Sequence, residues 1–173
     1  MPSLDRCRSL IQAADELRFR NPGRALEQAR VACETAAREP RGADERGWHL
    51  LQSEAWAVLG SAYRAVGDFQ RAENGLNLAS AFLDALPESA VEPATWARLC
   101  QRASYVRCAQ GRFAEALDLN DDALTVYRRV DDVQSALAAL VDRALIVARR
   151  GAPEAAIPLL EQSLEGLDPE IHP

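Results

Sequence analysis

Few residues in this sequence are suited to acid–base or nucleophilic chemistry. The two histidines, His49 and His172, do not stand beside a serine or cysteine in any recognised catalytic order. A catalytic triad needs a nucleophile, a base and an orienting acid that converge in space, and no such set is apparent. The chain is therefore predicted to have no catalytic residues and not to be an enzyme.

Adjacent acids are the nearest approach to a proton-transfer or metal site, at Asp121-Asp122 and Asp131-Asp132. Neighbouring residues on a helix do not face each other, so the two carboxylates of a pair cannot share a proton or an ion without a third partner. We interpret both pairs as solvated surface or helix N-caps.

Metal and cofactor sites are not expected either. The four cysteines have no CxxC spacing and no histidine at ligand spacing, and they stand among apolar positions, where a free cysteine acts as a small hydrophobe. A phosphate-binding G-x-x-x-x-G-K-[ST] loop needs a lysine. Every basic residue here is arginine, which we interpret as the mark of a GC-rich bacterial genome. The sequence thus predicts no cofactor and no metal.

Charge and hydropathy limit the partners. The formal net charge is −6 and the pI is about 5.0, a balance that disfavours nucleic acid and anionic membranes. No window is long enough to cross a bilayer, and the start MPSLDRCRSL lacks the apolar core of a signal peptide. The sequence therefore predicts a cytoplasmic protein with no nucleic-acid and no membrane partner.

The composition indicates an all-α fold. Hydrophobic residues make up 48% of the chain but aromatic residues only 6%, and alanine and leucine dominate. Such side chains fill the space between closely packed helices better than they build a sheet.

Similar turns divide the chain at regular intervals, in the segments RNPGRAL, VGDFQRA, QGRFAEA and RGAPEAA. The last three align on Gly67, Gly111 and Gly151, which are 44 and 40 residues apart. Glycine can adopt positive φ and end a helix there. Helical periodicity between the turns predicts eight helices, at about 3–19, 22–38, 43–66, 69–86, 92–110, 113–129, 132–150 and 153–167. Pro158 in the last helix predicts a late start or a bend.

One segment carries a more specific pattern: Trp56-x-x-Leu59-Gly60-x-x-Tyr63, followed by Gly67-Asp68-Phe69, Ala72 and Leu76. It resembles the tetratricopeptide repeat. The repeat signature, defined over three units, is Trp56, Leu59, Gly60, Tyr63, Gly67, Phe69, Ala72, Gly111, Phe113, Ala116, Gly151 and Ala156. The units are longer than the family's usual repeat of about 34 residues and resemble its long-helix bacterial variants.

The resemblance implies a right-handed superhelical solenoid of about four antiparallel helix pairs, at about 3–38, 43–86, 92–129 and 132–167, in a single domain over 1–173. It also implies that the first helix of each pair lines a concave groove that holds a partner protein or peptide. The polar residues that it places in this groove are Glu54, Ser61, Arg64, Arg98, Gln101, Tyr105 and Arg149. The same alignment gives the fourth pair a more apolar stretch, at Ala138, Val141 and Leu145.

Several functions remain open. The leading hypothesis is a non-catalytic scaffold that binds another protein or peptide. The alternative is a regulatory or sensor module acting with a DNA-binding or effector protein. RNA binding would need a strongly basic concave face, which the net charge of −6 disfavours. The last helix carries apolar residues that cannot all point one way, which suggests either self-association or a missing continuation of the chain, and we hypothesise a homodimer through this helix; the residues are Ile157, Leu159, Leu160, Leu164 and Leu167.

Overall fold

The computed structural model describes residues 4–38 and 44–165, and within these ranges the chain is helical without any strand. Eight α-helices follow one another in these ranges: α1 (Leu4–Leu17), α2 (Pro22–Arg38), α3 (Glu45–Ala65), α4 (Phe69–Asp84), α5 (Pro93–Ala109), α6 (Phe113–Arg129), α7 (Val133–Arg149) and α8 (Pro153–Glu165). A 3₁₀ turn, Glu88–Ala90, lies between α4 and α5.

The all-α prediction is confirmed, and the described helix ends lie within two residues of those expected. The predicted start of the third helix at 43 and the predicted end of the last helix at 167 lie outside the described residues. Pro158 does not delay the last helix, because α8 begins at Pro153 and continues through Pro158.

The chain divides into two compact units, residues 1–91 with α1–α4 and residues 92–173 with α5–α8. Within each unit every helix packs on the next one, and the first helices of the two pairs also meet, α1 with α3 and α5 with α7. The single domain over 1–173 stays a prediction beside this division.

The glycine turns end their helices as expected. Gly67 has φ of 84° and Gly111 has φ of 77°, the left-handed region that favours glycine. The next amide in each turn donates to the carbonyl five residues back: Asp68 N to Tyr63 O at 3.0 Å, and Arg112 N to Arg107 O at 2.9 Å. These bonds satisfy carbonyls that the helix end leaves open, which is the Schellman arrangement.

Small residues let α3 and α4 approach closely. A Cβ added to Gly60 would lie 2.9 Å from the Ala72 carbonyl oxygen and 3.0 Å from Leu76 Cγ. A Cβ added to Gly75 would lie 3.1 Å from Gly60 Cα. Gly60 is therefore the contact point for the neighbouring helix, as its place in the signature predicts, and Ala72 is fully buried beside it.

The core of the second unit is interrupted by polar groups. One buried cluster gathers around Tyr127 and Leu140, and a smaller one contains Ala116 and Ile146. Asn120, fully buried on α6, stands between the α6 members of these clusters and donates from Nδ2 to the Ala139 carbonyl at 3.0 Å. Its Oδ1 has no hydrogen-bond partner among the described residues.

Candidate functional site: the face of α5 and α7

Several predicted groove residues meet on one surface of the second unit, where α5 and α7 lie side by side. We call it the α5–α7 face and define it by Arg98, Gln101, Tyr105, Ala138, Val141, Asp142, Leu145 and Arg149. On each helix these residues recur at three- and four-residue intervals, so they share a side of it.

A hydrogen-bonded cluster joins the two helices at the centre of this face. Gln101 Nε2 donates to Asp142 Oδ2 at 2.6 Å, and the Tyr105 hydroxyl donates to the same oxygen at 2.6 Å. The Tyr127 hydroxyl, from α6, donates to Gln101 Oε1 at 3.1 Å. The amide of Gln101 is thus oriented from both ends, and its side chain is ordered before any partner arrives.

Burial and charge both act on this cluster. Burial raises the pKa of Tyr127 to about 12, while the nearby guanidinium groups of Arg98 and Arg102 oppose that rise and Asp132 adds to it. Tyr127 therefore remains a neutral donor at physiological pH.

The α7 side of the face is apolar and open. Leu145 is 54% exposed and Val141 is 37% exposed, one helical turn apart, with Ala138 exposed before them. Single exposed hydrophobic residues are ordinary on a protein surface. Two of them beside an ordered polar cluster form the kind of mixed surface that protein interfaces use.

Two exposed arginines border this apolar strip. Arg98 Nη2 donates to Thr95 Oγ1 at 3.2 Å, and Arg149 ends α7. Neither forms an ion pair with a carboxylate of the described residues. By contrast, Arg107 lies 3.6 Å from a Glu115 oxygen, and Arg143 pairs with Asp121.

The predicted groove residues of α3 differ in accessibility. Glu54 is exposed and Arg64 is half-buried. Ser61 is buried, and its hydroxyl donates to the Ala57 carbonyl at 3.0 Å. Ser61 therefore has little surface to offer a partner.

Of the two histidines, which could act in catalysis or bind a metal, His49 has a structural role. His49 stacks edge-on against Trp48 and Phe82, with ring centroids 5.0 and 5.9 Å away, and its Nδ1 lies 3.2 Å from the Phe82 carbonyl. His172 lies outside the described residues. No group of three or more potential metal ligands occurs in the ranges that the structure describes.

The acidic pairs match their interpretation only in part. Asp132 caps α7, accepting from Ser135 N at 3.1 Å. Asp121 instead pairs with Arg143 across the α6–α7 contact; burial raises the pKa of Asp121, and Arg143 partly offsets that rise.

All four cysteines are buried and form no disulfide; they are Cys7, Cys33, Cys100 and Cys108. Burial is the main cause that raises the pKa of both Cys33 and Cys100 to about 12, so these thiols are poor nucleophiles.

A cavity of about 300 Å³ in the second unit has no histidine, cysteine or serine in its described lining; that lining is Tyr127, Arg128, Asp131, Val133, Ala136, Leu137, Leu140 and Gln162. No described helix combines the length and hydropathy that crossing a bilayer requires.

Comparison with known proteins identifies the kind of repeat that these helices form. Residues 99–168, the greater part of α5–α8, match the family model described as tetratricopeptide repeat. Residues 99–168 are thus identified as tetratricopeptide repeats. A crystal structure titled as the nearly identical TPR-like repeats of a putative kinesin light chain from Podosopora anserina matches with a TM-score of 0.71. That match has 20% identity and covers 95% of this chain and 76% of the other, so it shows the helical-repeat fold. A search of curated proteins returns no match.

One member of the α5–α7 face, Asp142, and one α6 residue bonded to that face, Tyr127, escaped the tetratricopeptide alignment. Asp142 and Tyr127 were not among the predicted groove residues, although Asp142 is the acceptor for both Gln101 and Tyr105. The repeat spacing of 40 residues sets Gln101 level with Val141, so Asp142 follows directly. A search for polar residues one position beyond each aligned site would have found it.

Proposed function

We propose that this chain is a non-catalytic scaffold that binds a partner peptide or helix, and that the α5–α7 face is its main contact surface. Tetratricopeptide repeats are generally protein–protein interaction modules. The observation that carries the proposal is the exposure of Val141 and Leu145 beside an ordered polar cluster. Arg98 and Tyr105 supply the residue types that dominate interface energetics.

The other predicted groove residues differ in how much surface they offer a partner. Glu54, Arg64, Gln101 and Arg149 all retain exposed or half-buried surface. Ser61 is better assigned to packing, since it is buried. The four buried free thiols suit a reducing compartment, so we propose that the protein works in the cytoplasm.

Site-specific photocrosslinking in cells tests this proposal. Benzoylphenylalanine replaces Leu145 in one variant and Asp118, an exposed residue of α6, in a matched control. We expect the Leu145 variant to capture one or a few proteins and the control to capture none of them. Equal capture at both positions, or none at Leu145, would contradict the proposal.

A second association surface is proposed on α8. Ile157 is 55% exposed and Leu160 is 38% exposed, so this helix has an open apolar side. We propose that two copies of the chain meet there as a homodimer. Light scattering at tens of micromolar should then give twice the chain mass, and Ile157→Glu should return it to one. A single chain mass for the unaltered protein excludes this dimer.

A further inference from the structure

We infer that the partner segment held by the α5–α7 face is an acidic amphipathic helix, with apolar residues on Val141 and Leu145 and carboxylates at Arg98 and Arg149. This inference rests on the proposed function of the same face. It adds the chemistry of the ligand, which neither the family nor the fold specifies.

The positions of the charges come first. In the repeat register Arg98 is level with Ala138, since both stand 13 residues before their turn glycines. Arg149 is 11 residues beyond Ala138 on α7, or roughly 16 Å along the helix axis. The two arginines therefore mark opposite ends of the face, with Val141 and Leu145 between them.

The charge expected of the ligand follows from which charged groups of the face already have partners. Asp142 is the acid of this face, and its Oδ2 accepts hydrogen bonds from both Gln101 and Tyr105 at 2.6 Å. Arg98 and Arg149 have no ion pair with a described carboxylate. A basic ligand would meet two like charges there, while an acidic ligand would meet two available guanidinium groups.

The apolar strip sets the periodicity of the ligand. Val141 and Leu145 are four residues apart, so their side chains stack along α7. A helix laid along this strip offers apolar residues at the same interval from one of its own sides. The acids then fall near its two ends, about 16 Å apart, which corresponds to about eleven helical residues.

A pair of designed peptides separates these features. The first is a fluorescein-labelled helical peptide of about 15 residues with two leucines one turn apart between two glutamates about 16 Å apart. The second has lysine in place of both glutamates. Fluorescence anisotropy at low ionic strength should show the glutamate peptide binding about tenfold more tightly, and added salt should reduce that difference.

Charge reversal on the protein gives the decisive comparison. Arg98→Glu with Arg149→Glu should invert the order of the two peptides. The matched control is Arg128→Glu with Arg129→Glu, which makes the same charge change at exposed positions of α6 and should leave the order as it was. Circular dichroism should show both variants folded, with melting temperatures that fall by similar amounts of a few degrees, since each variant places glutamate in a last helical turn.

The possible results distinguish failure of the acidic-ligand inference from failure of the proposed binding function. Equal binding of both peptides, weakened by Leu145→Glu, overturns the acidic ligand and leaves the interaction surface in place. Binding of neither peptide at up to about 100 µM, or binding that Leu145→Glu does not change, overturns both. An order that inverts equally in the α6 control also overturns it, because net charge alone would then explain the preference.

Discussion

The α3–α4 and α5–α6 pairs share a turn and differ in what lies between their helices. Gly60 and Gly75 bring α3 and α4 together so closely that a Cβ on either would lie within 3.1 Å of the facing backbone. Forty-four residues on from Gly60, α5 has Ser104, which is fully buried. The α3–α4 contact thus depends on two glycines, which have no side chain, while the α5–α6 pair accommodates a serine side chain.

Another two positions that contact each other in the first unit also do so in the second unit, through a different kind of interaction. In the first unit the guanidinium of Arg71 lies 5.8 Å from the centre of the Tyr63 ring. In the second unit the corresponding residues are Glu115 and Arg107, an ion pair at 3.6 Å. These equivalent positions therefore meet in both units, through a cation–π contact in the first and an ion pair in the second.

Gly60→Leu should have the largest effect. Its side chain would overlap the Ala72 carbonyl and Leu76, so we expect a loss of more than about 3 kcal/mol in the free energy of unfolding. Urea denaturation of a Trp96→Phe background checks this, because the remaining fluorescence comes from Trp48 and Trp56 on α3. Ser104→Ala changes the equivalent position of α5 and should cost less than about 1 kcal/mol, measured by circular dichroism because Trp48 and Trp56 lie on α3. A loss below about 1 kcal/mol for Gly60→Leu would contradict the close contact between α3 and α4.

Leu76 and Asn120 occupy equivalent positions on α4 and α6. Replacing each by the other's residue type tests how the buried polar side chain of Asn120 affects stability. Leu76→Asn should cost about 2–3 kcal/mol, because it places an amide in a contact that is 5% exposed. Asn120→Leu should change stability by less than about 1 kcal/mol: it loses the bond to the Ala139 carbonyl and also removes an oxygen without a partner. Urea denaturation checks both, and a loss above about 2 kcal/mol for Asn120→Leu would assign that amide a specific structural role.

Sequence periodicity was enough to predict the helices of this fold. The turn glycines adopt the positive φ that their places implied, and Gly60 contacts α4 as the signature implied. The family model nevertheless matches residues 99–168, outside the segment around Gly60 that carries the best sequence signature. Spacing of small residues and turns is thus the more general signal, and the large signature residues are replaceable.

The groove was harder to predict, because side-chain pairing between helices depends on contacts 37 and 41 residues apart along the chain. The alignment gave the sides of α5 and α7, but not that Asp142 would hold Gln101 and Tyr105. It also could not foresee that Ser61 would be buried, since helix period alone does not say which neighbour covers a position.

The two units should respond alike to alkaline pH. Cys33 in the first and Cys100 in the second both have pKa values raised from 9.0 to about 12, mainly by burial. The unfolded chain releases these protons near its ordinary thiol pKa, whereas the folded chain keeps them. The unfolded state therefore binds fewer protons between about pH 9 and 12, and the free energy of unfolding falls as pH rises through that range.

Urea denaturation at about pH 8 and about pH 10.5 measures this loss. A Cys33→Ala, Cys100→Ala variant should show a shallower decline than the unaltered chain. Its absolute stability at pH 8 will also be lower, because each change removes a buried sulfur. The slope is therefore the readout, and an unchanged slope would show that these thiols are not the groups that titrate.

Asp131 allows the smallest and most local test of the shared turn geometry. It has φ of 56°, where the equivalent turns have glycine, yet Asp132 N still donates to Tyr127 O at 3.0 Å as in those turns. Asp131→Gly should stabilise the chain by about 0.5–1 kcal/mol, since the left-handed conformation is costly for a residue with a Cβ. Asp131→Val should lose more than about 1 kcal/mol, because a β-branched residue is poorly accommodated there. If urea denaturation ranks valine above glycine, the α6–α7 turn does not keep this conformation, and its resemblance to the Gly67, Gly111 and Gly151 turns would be limited to the hydrogen bond.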